Sequence, residues 1–274
     1  MNPSQTPPDS YSTVTSRFFT VFLGGAVALL VVFFLALLAS LAGTTRLEKF
    51  FSLLAAPDIR FAVRLSFLTA TTATVLAMLV AVPAAYALSR AEFPGKKVVD
   101  TVLDLPIVLS PVALGAALLL FFNNAVGQFI EKYIVQFVFS VPGLILAQFT
   151  VVSALAVRLL KSTFDSIERR YEKVGRVMGC SRVKAFSHVA LPLARPGILA
   201  SAILCWARAV GEFGASVTLA GATAMKTETL PISIYLSLAS ADVERAVAAI
   251  FVLVFIALGS LFIVRWVGGA GVYR

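Results

Sequence analysis

Residues 65–89 read LSFLTATTATVLAMLVAVPAAYALS, 25 residues without one charged side chain. As a helix rising 1.5 Å per residue, this stretch covers about 37 Å, enough to cross a hydrocarbon layer of about 30 Å. Lipid offers no partner to an open backbone amide, so an uncharged run of this length is read as a membrane helix. Working outward, further uncharged runs lie at 18–41, 105–130, 133–157 and 246–264, and residues 196–225 form another, interrupted only by Arg208 and Glu212. The runs at 105–130 and 133–157 are separated only by Glu131 and Lys132, which places their spans near 107–123 and 142–157. The pattern predicts an all-α polytopic membrane protein with spans at 18–41, 65–89, 107–123, 142–157, 197–220 and 246–264.

Composition agrees. Of 274 residues, 59% are hydrophobic and 14% charged, against roughly 45–50% and about a quarter in soluble domains. So few charges cannot cover a water-facing surface, and the apolar residues come in blocks rather than at the one-face periodicity of a soluble helix. The 18–41 run is too long for the apolar region of a cleavable signal peptide and is kept as a span. Ahead of it, residues 1–16 are rich in Pro, Ser and Thr with only Asp9 charged, and are expected to be a disordered cytoplasmic tail. Residues 17–274 are expected to form a single transmembrane domain.

Net charge is +9, and its distribution sets an orientation. With the N-terminus inside, the inner segments carry 15 Lys and Arg and the outer ones 7, among them Arg46 outside and Arg274 inside. Basic residues beside spans are retained on the cytoplasmic side, so both termini are expected there. The basic residues are spread over separate loops with no groove-reading motif, so they read as neighbours of lipid headgroups and not as a nucleic-acid surface.

Every connection is short except 158–195, and long ordered loops in compact proteins carry function. Residues 161–196 read KSTFDSIERRYEKVGRVMGCSRVKAFSHVALPLARP. Val174, Val177 and Met178 recur at helical spacing, giving a short amphipathic helix. Gly179 is placed to end it in the left-handed conformation. Ser181 is placed to cap a second short helix through Ala185, Phe186 and Val189, ended by Pro192. The expected product is a helix-turn-helix across the cytoplasmic face. Its alternative is an amphipathic segment that only rests on headgroups.

In the fifth span, Ser201, Cys205, Arg208, Glu212 and Ser216 follow helical spacing and form a polar stripe, beside a small-residue face of Ala207, Gly211 and Ala215. Arg208 and Glu212 are four residues apart and can pair within a helix. Charges at membrane depth are costly unless paired, so the stripe reads either as a self-neutralising clip or as the lining of a path. Pro83, Pro106, Pro111 and Pro142 sit in or at the ends of spans, where each removes a backbone donor.

The chain offers little chemistry of its own. The only Gly-Lys pair, Gly95-Lys96, lacks the rest of a P-loop. Two cysteines, Cys180 and Cys205, are expected to be free thiols, and with His188 as the single histidine neither a Cys/His zinc site nor a Ser-His-Asp triad can be built. No catalytic residue, metal or bound cofactor is expected.

Gly179, nine residues, Val189, one residue and then Leu191-Pro192 resembles the E-A-A-x-x-x-G-x9-I-x-L-P loop motif of permease subunits of ABC importers. The E-A-A positions are Lys173, Val174 and Gly175 here, with Glu172 one place earlier. Arg90, Phe93-Pro94-Gly95, Asp100 and Asp104-Leu105-Pro106 resemble a turn of the molybdate, tungstate and sulfate branch. The run from Trp206 to Ala215 resembles its fifth-span signature, and Lys226 to Pro231 with Ile234-Tyr235 its outer loop. Together these cover most of the chain after residue 60. The resemblance implies a type I importer permease fold in a prokaryotic cytoplasmic membrane. It implies that Glu172, Val174, Gly179, Cys180, Ser181, Ala185, Phe186, Leu191 and Pro192 belong to coupling helices that dock on an ATP-hydrolysing subunit. It further implies a permease homodimer with two ATP-binding cassette subunits, ATP and magnesium being held by those subunits, and an extracytoplasmic oxyanion-binding protein. The cargo implied is molybdate or tungstate, with sulfate as the alternative. A secondary transporter or channel would need no ATPase, and no inverted repeat supports it.

Overall fold

The computed structural model describes residues 10–43 and 47–269. Residues 1–9 of the tail expected at 1–16, together with Arg46 and Arg274 of the charge count, lie outside the described residues. The chain divides into two compact units, residues 1–50 and residues 51–274.

In the first unit, α1 (Ser10–Ala42) holds an apolar segment, Phe19–Leu41. The helix begins at Ser10, so residues 10–16 are helical rather than part of a disordered tail. The local reason is that no proline or glycine interrupts the chain between Pro8 and Gly24. A short amphipathic helix, α2 (Leu47–Leu54), leads into the second unit.

The second unit is built on α3 (Pro57–Arg90) and α7 (Val141–Asp165), which make the most extensive helix contact among the described residues. Pro57 starts α3 at a position where its missing amide costs nothing, and Asp58 complements the helix dipole in the first turn. The buried face of α3 is Ala62, Ser66, Ala70, Ala73, Ala77, Ala81 and Ala85, each 0–1% exposed. Small side chains at three- and four-residue spacing let two membrane helices approach closely, which matters where lipid supplies no hydrophobic drive to association. From α7, Leu144, Val152, Ala156, Leu160 and Phe164 are buried, and α10 (Leu191–Val210) closes this core with Ala194, Cys205 and Ala209. Outside it lies α13 (Val243–Gly269), packed on α10 and on a short helix, α12 (Leu230–Ala239). Arg245 at the start of α13 pairs with Asp58 at 3.1 Å.

Two expected spans are broken. The one placed at 107–123 straddles α4 (Lys96–Val108) and α5 (Pro111–Phe122), which meet at 108°. Pro111 pushes Ser110 into extended backbone, and the Ser110 hydroxyl accepts from the Ala113 amide, capping a new helix instead of continuing the old one. The one placed at 197–220 divides into α10, ending at Val210, and α11 (Gly214–Ala220). Gly115 of α5 lies so close to α11 that an added Cβ would come within 2.8 Å of the Ala215 Cα. Among the described residues, five helices are thus long and apolar enough to cross a membrane, or six if the bent α4–α5 pair is taken as one span. Between α5 and α7 a short helix, α6 (Ala125–Tyr133), is held by Asn124, whose side chain accepts from the Gly127 amide. Hydropathy alone did not anticipate α6 or α12, because neither is long enough to span.

Candidate functional site

The 158–195 segment is shorter as a loop than its charge suggested. Residues up to Asp165 continue α7, and α10 begins at Leu191. Between them lie α8 (Arg169–Val177), α9 (Arg182–Ala185) and a π-helical stretch, Phe186–Ala190.

α8 ends as its sequence requires. Gly179 has φ +94°, its amide donates to Arg176 O and the Cys180 amide donates to Gly175 O, the paired bonds of a Schellman stop. The space a Cβ would fill at Gly179 is open, so only the backbone conformation demands glycine there. The Ser181 hydroxyl accepts from the Lys184 amide and caps α9. Pro192, however, does not end the second helix. It sits in the first turn of α10, and the preceding π stretch, closed by a bond from the Leu191 amide to Phe186 O, carries the chain into the span. A proline with no amide to donate is tolerated at such a start.

Glu172 is the fastening point of this loop. It is buried, accepting a 2.6 Å hydrogen bond from the Tyr86 hydroxyl and a 2.8 Å one from Arg90 Nε. The Glu172 and Arg90 side chains are each 12% exposed. Arg90 also donates to Ile167 O and to the Ser89 hydroxyl, and Ser89 donates to Asp165, which pairs with Lys161 at 3.0 Å. Arg169 donates to Ser89 O. The Phe186 ring packs on Tyr86 at 4.5 Å. A nearby ion pair, Arg158 with Asp104, ties α7 to α4. Both ends of the loop are therefore anchored to the last turn of α3. Sequence reasoning singled out Glu172 but missed Tyr86, Ser89 and Asp165, since no local spacing links residues 76 to 86 positions apart.

The remaining loop residues divide by exposure. Ala185 is buried, Cys180, Leu191 and Pro192 are half-buried, and Ser181 is exposed. Val174, Val177, Met178 and Val183 stand in the open, Val177 at 88%. Apolar side chains this exposed beside a rigid base are what a protein partner would cover.

In the fifth-span stripe, Ser201, Cys205, Glu212 and Ser216 are all buried, while the Arg208 side chain is 38% exposed. Cys205 faces Val152 O of α7 at 3.9 Å. The stripe does not lie on one helix, because the chain breaks at 211–213, and the small-residue face is divided with it: Gly211 is exposed and Ala215 buried against α5. Glu212 works on both sides of the break. One carboxylate oxygen is 2.6 Å from Arg208 Nη1 and the other accepts from the Ala215 amide at 3.0 Å, satisfying an orphan donor at the start of α11. Gln148 of α7 was not anticipated. It is fully buried, and neither its amide nor the Ser216 hydroxyl has a hydrogen-bond partner among the described residues.

The profile of the family described as the binding-protein-dependent transport system inner membrane component matches residues 73–269. The chain belongs to this family. It is a transport component, not an enzyme. Among curated relatives, a probable molybdenum ABC transporter permease protein of Haloferax volcanii is 39% identical over 204 residues, 74% of this chain and 73% of that one. The molybdate/tungstate transport system permease protein WtpB of Thermococcus kodakarensis is 31% identical over 256 residues, 92% of this chain and 98% of that one. The molybdenum transport system permease protein ModB of Escherichia coli is 31% identical over 209 residues, 75% and 91%. A chain of a bacterial alginate ABC transporter solved with its periplasmic protein has a TM-score of 0.73 at 16% identity, covering 95% of this chain and 96% of that one. A chain of the MetNI methionine ABC transporter gives 0.57, covering 81% and 99%. These two show that the fold is that of ABC transporter permeases.

The anchor makes a prediction specific to buried ion pairs. Glu172→Ala strands Arg90 in a mostly buried site and should destabilise the chain by about 3–5 kcal/mol, read as a fall in the thermal unfolding midpoint in detergent. The double variant Glu172→Leu with Arg90→Met should recover most of that loss, because it removes both charges. Equal losses in the single and double variants would show that the charge pair is not what holds the loop.

Proposed function

We propose that this chain is the permease of an ATP-driven importer of molybdate and tungstate, working as a homodimer with two ATP-binding cassette subunits and an extracytoplasmic oxyanion-binding protein. The observation that carries the coupling is the anchored loop with its exposed apolar tip. The cargo reading rests on the curated relatives, several of which are named for molybdate or tungstate. The excess of basic residues on one side supports a cytoplasmic membrane location with both termini and the loop inside.

Glu172, Val174, Gly179, Cys180, Ser181, Ala185, Phe186, Leu191 and Pro192 are assigned to the coupling loop. Val174, Val177 and Met178 would enter a cleft of the ATPase, which holds the ATP and magnesium. Closure of two ATPases would draw two loops together. Because Glu172 ties each loop to Arg90 and Tyr86, the pull passes directly to α3, and through its small-residue face to α7, tipping the bundle between inward-open and outward-open. Ser201, Cys205, Arg208, Glu212 and Ser216 are assigned to the passage, with Arg208 offering its remaining donors to a passing anion while Glu212 keeps it from binding too tightly.

Three measurements test these assignments. In cells expressing the whole set, excess tungstate should suppress uptake of labelled molybdate while sulfate at the same excess leaves it intact; equal competition by sulfate would transfer the reading to a sulfate permease. Gly179→Val meets open space but forces a β-branched residue to positive φ, at a cost of about 1–2 kcal/mol. Its assembled transporter should keep ATP hydrolysis and lose most uptake, and an unchanged ratio of ions moved to ATP spent would remove Gly179 from the coupling path. With Cys180 and Cys205 replaced by serine, Glu212→Cys should react with a water-soluble thiol reagent in at least one nucleotide state; inertness in every state would leave the Arg208–Glu212 pair as a structural clip.

A further inference from the structure

We infer that the recess beneath the 166–190 loop is a binding site for a tetrahedral oxyanion, a phosphate-like dianion. The recess is a cavity of about 490 Å³ lined by Tyr86, Arg90, Glu172, Arg176, Arg182 and Ala185 among others. A second cavity, of about 560 Å³, shares Lys173, Arg176 and Arg182 with it and reaches Cys180 and Ser181.

The charge balance around these cavities is uneven. The first has one carboxylate, Glu172, whose charge is paired with Arg90 and which also accepts from the Tyr86 hydroxyl. Arg90 is in turn spent on Glu172, Ile167 O and Ser89, and Arg169 on Ser89 O. Lys173, Arg176 and Arg182 have no ion pair and no side-chain hydrogen bond among the described residues. Three cations around a shared recess repel one another, and none of them is in an ion pair with an acid among the described residues. Two of them carry the planar donor fork that binds oxyanions in pairs of hydrogen bonds. Glu172 and Ala185 form a buried floor, the three cations stand exposed at its rim, and the second cavity runs from that rim to the tip at Val177.

Lys173 and Arg176 belong to α8 and Arg182 to α9, on opposite sides of the Gly179 turn. An anion held by all three would tie the two short helices together and stiffen that turn. The effect on transport rests on the coupling role proposed above; the binding itself does not.

Binding is read on the full chain alone, in phosphatidylcholine nanodiscs, as the thermal unfolding midpoint against phosphate, sulfate or molybdate at constant ionic strength. Each dianion should raise the midpoint saturably, while chloride at the same ionic strength should not. In the double variant Arg176→Gln with Arg182→Gln the apparent affinity should fall at least ~tenfold, since charge-assisted bonds are worth ~1.5–3 kcal/mol each. The variant's midpoint in chloride should not fall, because neither lost side chain makes an ion pair or hydrogen bond among the described residues. Nanodiscs containing phosphatidylglycerol identify the source: if the phosphate comes from lipid, they raise the wild-type midpoint, leave no further response to free dianion, and do neither in the variant. A wild-type response to chloride equal to that to the dianions, or an undiminished response in the variant, would overturn the site. So would indifference to dianion and lipid alike with salt-sensitive ATPase capture lost in the variant, which would mark the cations as an acidic-partner surface. A failed Gly179 experiment would leave these binding results untouched.

Discussion

A row of side chains no larger than alanine and serine along α3 decides how the second unit is assembled. In water, apolar burial would reward larger residues; in a membrane the surrounding lipid is as apolar as the core, and the gain must come from close packing. Each atom contact is worth only about 0.1–0.2 kcal/mol, so the seam works by having many of them over the length of a 34-residue helix. The facing side of α7 supplies larger partners, Val152, Leu160 and Phe164, in one cluster with Ala70, Ala77, Ala81 and Ala85. Substituting bulk on the α3 side would separate the two helices on which α4, α5, α10, α11 and α12 pack.

The seam would be a passive fit without the polar cluster at its end. Arg90 closes α3 with the only charge since Arg64, and Glu172 is brought to it from a separate helix. A carboxylate held by a phenol and a guanidinium in a mostly buried setting is geometrically demanding, since each partner's desolvation must be repaid by that contact. Such a pair adds little net stability, yet it fixes where α8 stands relative to α3. Phe186 against Tyr86 fixes the return path of the chain in the same way. The loop is therefore a rigid attachment to α3 whose most exposed apolar groups, Val177 and Met178, lie at the turn.

What could be read from the residues follows the range over which each force acts. Membrane spans are set by local hydropathy, and the stretches at 18–41, 65–89, 142–157 and 246–264 all lie within helices of the structure. Local caps were equally legible: Gly179 and Ser181 act through their own backbone neighbours, and their roles follow from chemistry within four residues. Hydropathy carries no information about direction, however, so it ran through the bend at Ser110 and the break at 211–213. Pro111 was visible as a donor lost, but whether a proline kinks a span or redirects it by 108° depends on what the next helix packs against. Here that is α11, through the contact at Gly115. The partners of Glu172 were invisible for a different reason, since a contact across 82 or 86 positions leaves no spacing to recognise.

The two breaks have one physical logic. A helix end inside a membrane protein leaves amide donors that lipid cannot satisfy, so each break must bring its own acceptor. At Ser110 that acceptor is a neutral hydroxyl; at 211–213 it is the carboxylate of Glu212, which must then be neutralised, and Arg208 one turn earlier does so. The intramembrane charge pair is thus a consequence of breaking the helix as much as a feature added to it. With Glu212 spent on the cap and on one guanidinium nitrogen, the partly exposed Arg208 keeps donors that nothing in its own helix takes. A cation whose charge is mostly compensated but whose hydrogen bonds are not is suited to meeting an anion briefly and releasing it. The break that structure demands is in this way also what leaves the fifth span with a usable polar group.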